Sequence, residues 1–363
     1  MATDQLSYID KPVALVHTVG AAWGTAVFPS SKTANITTHE AGTGEREKLS
    51  NAMQAGGGGM GTVFQASNYV QQPFSSEMDV TYNSAAFLQI MTAFFGQYSS
   101  TTSTGVQTHV SVMRKKLTPA QIEDCLFSFW KKEGVELKYI PSIYINEITL
   151  MYDGQLKMKV SGIGDKLYLG SPTQITNMEA LGFPAAVPGP YPIFDHCVVR
   201  MNNGQDVVGD ANVALSGSDE INPTSLELTF TRPVKVNPIP SGSDAIAMPT
   251  DTANEPVEIL LKMGFTFKDT ASAAYFAKHQ AATSYKAEIT FMSPGSIPTK
   301  AVPYVLNFQL PRLQVDVPTY NVDDTSVDGT FMVAEAVGNP AGMSSVLPRF
   351  SLTNTIAAQT FPA

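Results

Sequence analysis

The stretch "YINEITLMYDGQLKMKVSGIG", residues 144–164, contains the pattern on which the fold depends. Apolar and polar residues alternate on both sides of Asp153-Gly154, which is typical of two β-strands joined by a tight turn. On the first strand, one face includes Ile148 and Leu150, and the other includes Glu147 and Thr149. Both faces mix polar and apolar residues along the whole strand, so the alternation alone does not decide which face is buried. The stretch therefore predicts an antiparallel hairpin of unassigned orientation.

Short alternating segments of the same kind occur along the whole chain and predict a mainly β protein. They are residues 76–82, 144–152, 154–160, 224–231, 257–267, 285–292, 304–310 and 329–337. Two short helices are expected, at 83–96 and 269–283. The first helix has Asn83 or Ser84 as its N-cap and Gly96 as its C-cap. Its predicted buried stripe consists of Phe87, Ile90, Met91, Phe94 and Phe95.

The order of these elements is repeated, which indicates an internal duplication. "MDVTYNSAAF" (78–87) aligns with "FTFKDTASAAY" (265–275), and the deciding stretch aligns loosely with residues 308–338 through a shared Asp-Gly. Each copy also contains a long, turn-rich stretch. We therefore predict a first domain (1–170) with a flexible arm at 38–62, a linker (171–192), a second domain (193–340) with a long loop at 237–256, and a C-terminal tail (341–363).

Composition argues against several functions. Only 15% of the residues are charged, and the net charge is −9. Residues 171–363 contribute −8 of that charge, which disfavours a protein that binds nucleic acid through a basic surface. So few charges are typical of a chain whose surface is buried in an assembly.

The N-terminus lacks the features of a signal peptide, no apolar stretch is long enough for a membrane helix, and two cysteines indicate a reducing compartment.

The glycine run "AGGGGMGT" (55–62) resembles a dinucleotide fingerprint at Gly56, Gly58 and Gly61. Such a fingerprint must open a helix, whereas the residues that follow favour a strand and include a proline. A P-loop would need a lysine where Thr62 stands. We therefore expect a flexible loop and no bound nucleotide or other cofactor.

Residues 324–335 resemble a calcium loop. Asp324, Ser326, Asp328, Gly329 and Glu335 occupy positions 1, 3, 5, 6 and 12 of the pattern. The flanking sequence is strand-like, and the first copy has Val160 where the ligand glutamate would fall. The segment is therefore interpreted as a hairpin turn and not as a metal site. The chain also lacks a recognisable catalytic constellation, so no enzymatic activity is expected.

Taken in order, these segments resemble the tail tube proteins of long-tailed, siphovirus-type bacteriophages, in the form with two tandem tube domains. The stretches that carry the resemblance are 20–30, 74–97, 108–118, 140–164 and 327–338. The resemblance implies two β-sandwich domains flanked by helices, whose sheets close into an inner barrel on assembly. It also implies trimeric rings with pseudo-six-fold symmetry, stacked into a hollow tube that conducts DNA.

The same resemblance implies a location and a set of partners. The protein would be assembled in the host cytoplasm and reside in the virion tail, without contact with a membrane. It would bind copies of itself, the tape measure protein, the tail terminator and the baseplate or tip proteins, while DNA passes through the lumen without specific binding. The arm at 38–62 would dock on the adjacent ring through Gly56, Gly57, Gly58, Gly59 and Gly61.

Two other classes of protein are alternatives to a tail tube protein. One is another β-rich virion component, from a capsid or a baseplate; a capsid protein would form closed shells. The other is a carbohydrate-binding, adhesin-like β-module, which would present exposed aromatic residues on one face.

Overall fold

A computed structural model describes most of the chain. The described residues are 13–18, 20–29, 38–43, 47–52, 65–114, 116–181, 190–203, 215–236, 248–251, 257–266, 284–315, 319–320, 326–332 and 347–359. Among them are three α-helices: α1 Ala85–Phe95, α2 Pro119–Glu123 and α3 Pro172–Leu181. The predicted second helix, 269–283, lies outside these residues.

The chain is mainly β with short helices, as predicted. The strands are β1 Val13–His17, β2 Thr38–Thr43, β3 Glu47–Ala52, β4 Gln65–Asp79, β5 Gly96–Ser103, β6 Val106–Met113, β7 Leu126–Glu133, β8 Glu136–Asp153, β9 Gln155–Gly164, β10 Tyr168–Leu169, β11 Cys197–Asn203, β12 Glu220–Ile221, β13 Ser225–Thr231, β14 Val234–Lys235, β15 Thr250–Asp251, β16 Glu258–Thr266, β17 Ser284–Ser296, β18 Pro303–Val315, β19 Thr319–Tyr320, β20 Ser326–Met332 and β21 Arg349–Asn354. All but β14 and β15 belong to one connected, hydrogen-bonded sheet. The pairings among these described strands form no closed barrel.

The deciding stretch forms the predicted hairpin of β8 and β9. Gly154 makes the turn with φ +74°, a conformation that glycine adopts without a steric penalty. Ile148 and Leu150 are buried, whereas Glu147 and Thr149 lie on the opposite, partly open face. The pairing register shifts between Ile145 and Glu147, so Ile145 is also buried despite its position in the alternation.

Helix α1 begins and ends where its caps predict. The Ser84 hydroxyl accepts a hydrogen bond from the Phe87 N–H at 3.1 Å, and Gly96 ends the helix with φ +81°. The predicted stripe is buried, but so are most of the other residues of the helix. A helix that is apolar nearly all round lies inside the core and not on its surface.

The strand pairings repeat along the chain. In the first half, β1 pairs with β7, β7 with β8, β8 with β9, β9 with β4, and β4 with β2. In the second half, β11 pairs with β17, β17 with β18, β18 with β20, β20 with β16, and β16 with β13. All these pairs are antiparallel, and corresponding strands occur in the same position within each series.

The registers match residue by residue. Tyr144 and Gln314 occupy corresponding positions, opposite Leu126 in one copy and Ser284 in the other. The register then shifts by one residue at the same place in both hairpins, between Phe127 and Phe129 and between Tyr285 and Ala287. Further along, the pair Thr149↔Lys159 corresponds to Thr319↔Asp328, so β18 and β19 together correspond to β8.

The two halves are joined by strand pairing. β13 of the second half pairs with β8 of the first, with Leu228 opposite Leu150. β21 lies between β6 and β18 and pairs with both, so the predicted C-terminal tail contains a central strand. Residues of both halves share one core, in which α1 packs against second-half aromatic side chains: Phe94 and Phe95 against Phe230, and Phe87 and Phe95 against Phe350.

A buried polar network fixes the C-terminal strand. His109 Nδ1 lies 2.7 Å from the Tyr98 hydroxyl, and His109 Nε2 lies 3.0 Å from Asn354 Oδ1. Asn354 in turn donates to the Tyr82 carbonyl oxygen at 2.9 Å. Burial lowers the pKa of His109, so the imidazole is neutral in this network.

Two predictions from the sequence need correction. The arm at 38–62 is not one long loop, because 38–43 and 47–52 are the strands β2 and β3, both paired with β4. Asp328 and Gly329 do not form a turn: they lie inside β20, opposite Gly264 and Met263. An Asp-Gly pair marks a turn only where its two flanks pair with each other, whereas Asp328 and Gly329 lie within one strand that pairs with β16 on one side and β19 on the other. The predicted domain boundaries remain predictions.

Candidate functional site: the open face of the joined sheet

The clearest candidate site is the open face of the sheet that crosses both halves. Strands β4, β9, β8, β13 and β16 lie side by side in that order, and alternate residues of each point away from the core. Opposite residues form three rows. The rows are Ser75, Ser161, Glu147, Thr231 and Glu258; Glu77, Lys159, Thr149, Thr229 and Leu260; and Asp79, Lys157, Met151, Glu227 and Lys262.

The sequence folds this way because each strand alternates. Leu156, Met158 and Val160 of β9 are buried, whereas Lys157 and Lys159 between them lie on the open face. The same alternation in β13 buries Leu228 and Phe230. Pairing in register brings the polar sets of all five strands onto one side of the sheet.

Charges of both signs are mixed on this face. Among the fifteen positions are five carboxylates and three lysines, which leave a net charge of −2. Lys262 binds Glu227 across β16 and β13 at 2.7 Å, so part of the positive charge is already paired. These fifteen positions include no arginine and no aromatic residue. A surface of this kind offers DNA neither a phosphate-binding patch nor a platform for base stacking.

The seam between the halves crosses the middle of the open face. Thr229 donates from its hydroxyl to the Thr149 hydroxyl oxygen at 3.3 Å, directly across β13 and β8. At the end of β13, the Arg232 N–H donates to the Asn146 carbonyl oxygen at 2.7 Å. The polar surface therefore continues from one half to the other without a break in hydrogen bonding.

A buried arginine supports the seam from the core side. Arg232, 1% exposed, donates to the carbonyl oxygens of Phe94 at 2.9 Å and Arg114 at 3.0 Å, and its guanidinium lies 5.5 Å from the Phe94 ring centre. Phe94 belongs to the last turn of α1, where carbonyl groups lack partners within the helix and a cation is favoured. Sequence reasoning missed Arg232, because the helix it caps lies more than a hundred residues away.

The residues predicted for assembly or metal binding are placed only in part. The glycine run, with Gly56, Gly57, Gly58, Gly59 and Gly61, lies outside the described residues, between the paired strands β3 and β4. Asp324 and Glu335 also lie outside them, and Asp328 is in β20. Within the described ranges, no group of three or more His, Cys, Asp or Glu residues is placed to hold a metal ion.

The described helices include none that is long and apolar enough to cross a membrane. Comparison with protein-family models found no match, and neither did comparison with curated proteins.

Proposed function

We propose that this chain is the structural subunit of a hollow tube, the tail tube of a long-tailed bacteriophage, and that the open face lines the channel. The observation that supports this proposal is the duplicated pairing order, with the two copies joined edge to edge by β8 and β13. A sheet built from equivalent units joined laterally can be extended by further units until it closes, and closure removes the exposed sheet edges.

The chemistry of the open face agrees with a conduit for DNA. Its net charge is close to neutral and slightly negative, so a passing duplex meets little attraction and weak repulsion. With three lysines among fifteen positions, one of them bound to Glu227, counterion release would contribute little to any DNA binding. DNA would move along this surface without being held.

The proposed number of chains per ring combines the duplication with the six-fold ring that the resemblance to tail tube proteins implies. If each chain contributes two equivalent units, three chains give a ring with pseudo-six-fold symmetry. Electron microscopy of the concentrated protein tests this proposal. We expect hollow tubes made of stacked rings with three copies in each ring. Rings of six copies would contradict the duplicated-unit assignment. Closed shells would point to a capsid protein, and a protein that stays monomeric at high concentration would contradict the tube altogether.

A further inference from the structure

The two repeats differ in which strands pair with β8 and with its second-repeat equivalent, β18 and β19. Along one edge of β8, β7 pairs with the first part of the strand and β13 pairs with residues 147–151. Along the other edge lie β10 and then β9. The long strand β8 therefore has partners on both sides along most of its length.

The corresponding strand of the second repeat lacks one of these partners. β17 lies along the edge of β18 that corresponds to the β7 edge of β8, and β21 and β20 lie along the other. β19 continues this strand and pairs with β20 on that second edge. In the described part of the chain, no strand pairs with the first edge of β19, which is the position that β13 takes on β8.

The missing partner has a counterpart elsewhere in the chain. β13 pairs with β16 on the side away from β20, and β2 pairs with β4 on the side away from β9. β2 is therefore the first-repeat equivalent of β13, and Thr43 corresponds to Leu228. Among the described strands, β2 has a residue register with β4 alone. Within the described strands, an edge without a partner therefore lies at each end of the joined sheet, and this arrangement makes a head-to-tail contact possible.

We propose that β2 of a second copy of this chain pairs antiparallel with β19, repeating between chains the seam that β13 and β8 form within one chain. The register follows from the pair Leu150↔Leu228, which becomes Tyr320 of one copy opposite Thr43 of the next. Among the described strands, β2 is the equivalent of β13, and it pairs with β4 and not with β19 of its own chain, so the occupant is a second copy. The contact is heterologous, and repeating it gives a ring where the rotation between neighbouring copies closes, as the proposed function requires. This inference rests on the proposed function.

A pair of cysteines tests the register. Opposite residues of antiparallel strands have Cα atoms roughly 4.5–5.5 Å apart, which suits a disulfide. In the double variant Thr43→Cys/Tyr320→Cys, mild oxidation of assembled protein should give a ladder of covalently linked chains on a non-reducing gel. Cys125 is buried, and burial raises the pKa of the Cys197 thiol to about 12, so neither native thiol competes in the cross-linking.

Three controls make the result specific. The variant Thr43→Cys/Thr319→Cys is out of register by one residue and should give little ladder, because neighbouring residues of a strand point to opposite faces. A mixture of the single variants Thr43→Cys and Tyr320→Cys should give only linked pairs. The variant Thr149→Cys/Thr229→Cys should form a disulfide within one chain and no ladder, since it lies on the internal seam.

The outcomes separate the two proposals. Rings or tubes without the Thr43–Tyr320 ladder would overturn this inference and leave the proposed function intact. A ladder at the out-of-register pair alone would also overturn it. Absence of any ring or tube by microscopy would contradict the proposed function itself, and a disulfide formed within a single chain would place β2 on its own β19.

Discussion

Arg232 donates to the Phe94 carbonyl oxygen at 2.9 Å, and this bond joins the end of β13 in the second half to helix α1 of the first half. The same guanidinium reaches the Arg114 carbonyl oxygen at 3.0 Å. A cation buried at a helix C-terminus is favourable only while its hydrogen bonds are made. We therefore expect the arginine to hold the seam and the helix together.

The first prediction is that Arg232→Met lowers the free energy of unfolding by about 3 kcal/mol, because two buried carbonyl groups lose a charged donor. Urea denaturation followed by circular dichroism measures the change. The matched control is Arg200→Met, which removes a partly exposed arginine paired with Glu220 at 3.0 Å and with Glu288 at 3.8 Å. A partly exposed ion pair contributes under about 1 kcal/mol, so equal losses at the two sites would contradict the role assigned to Arg232.

The second prediction concerns how the free energy of unfolding depends on pH. His17 Nε2 donates to the Asp124 carbonyl oxygen at 2.7 Å, and burial lowers the pKa of His17 from 6.5 to about 4. Between these values the unfolded chain binds a proton that the folded chain does not, so stability falls as the pH falls. The stability that depends on a neutral His17 is fully present above about pH 6.5. We expect the free energy of unfolding to decline by up to about 3 kcal/mol from this cause by pH 4.

The variant His17→Gln isolates this effect, since the amide can donate to the same carbonyl oxygen but does not titrate. Its free energy of unfolding should depend less on pH between 6.5 and 4 than that of the natural protein. His109, whose pKa burial also lowers, contributes a slope of the same sign in both proteins. Identical pH profiles would show that His17 titrates normally in the folded state.

Which features could be predicted from the sequence depends on how local they are. The β8–β9 hairpin and α1 were predicted correctly because turn, cap and alternation lie within a few residues of one another. The pairing of β13 with β8 and the insertion of β21 join segments far apart in sequence, and no local pattern specifies them. The error at Asp328-Gly329 has the same origin, because a turn signal was interpreted without knowledge of the partner strand.

The duplication was predicted from the order of elements, and the pairings give it a residue-level form. For the candidate site, the alternation of polar and apolar residues could be predicted from the sequence, but the face of each strand that is buried could not. Ile148 and Leu150 proved to be buried and Glu147 and Thr149 open, because the polar residues of five strands combine on one side only after pairing. The open face carries a net charge of −2, and its role in lining a channel remains a proposal.

The third prediction concerns the glycine run. β3 and β4 pair with Ala52 opposite Gln65, so deleting residues 54–61 leaves four residues to connect them. Four residues are enough for a β-hairpin, and the variant should therefore fold as the natural protein does. Tube growth should be reduced, because the glycine run that is predicted to contact the adjacent ring is lost. Circular dichroism reports the fold, and microscopy reports tube length.

A second variant separates the glycines from the length of the connection. Replacing Gly56, Gly57, Gly58 and Gly59 with serine keeps the reach of the segment while reducing its conformational freedom. We expect tubes intermediate between those of the natural protein and those of the deletion. Tubes of normal length from the deletion variant would mean that the run plays no part in assembly.

The last prediction concerns the charge of the open face. Glu147 and Glu258 lie in the same row, with Thr231 between them on β13. Changing both to lysine would turn the net charge of the fifteen positions from −2 to +2 and create a basic row across the seam. The natural protein should show no measurable binding of duplex DNA at about 0.1 M salt, because its face lacks a positive patch. The variant should bind duplex DNA, with an affinity that falls steeply as salt rises.

The control makes the same two reversals away from the face, at Glu136 and the exposed Asp195, and so changes the net charge of the chain equally. Fluorescence anisotropy with a labelled duplex measures all three proteins, both as free subunits and after assembly. If the open face lines the channel, assembled tubes of the face variant should retain a short duplex inside the lumen, and tubes of the control should release it. Equal binding by the face variant and the control would mean that DNA responds only to total charge, and the open face would then have no special relation to the channel.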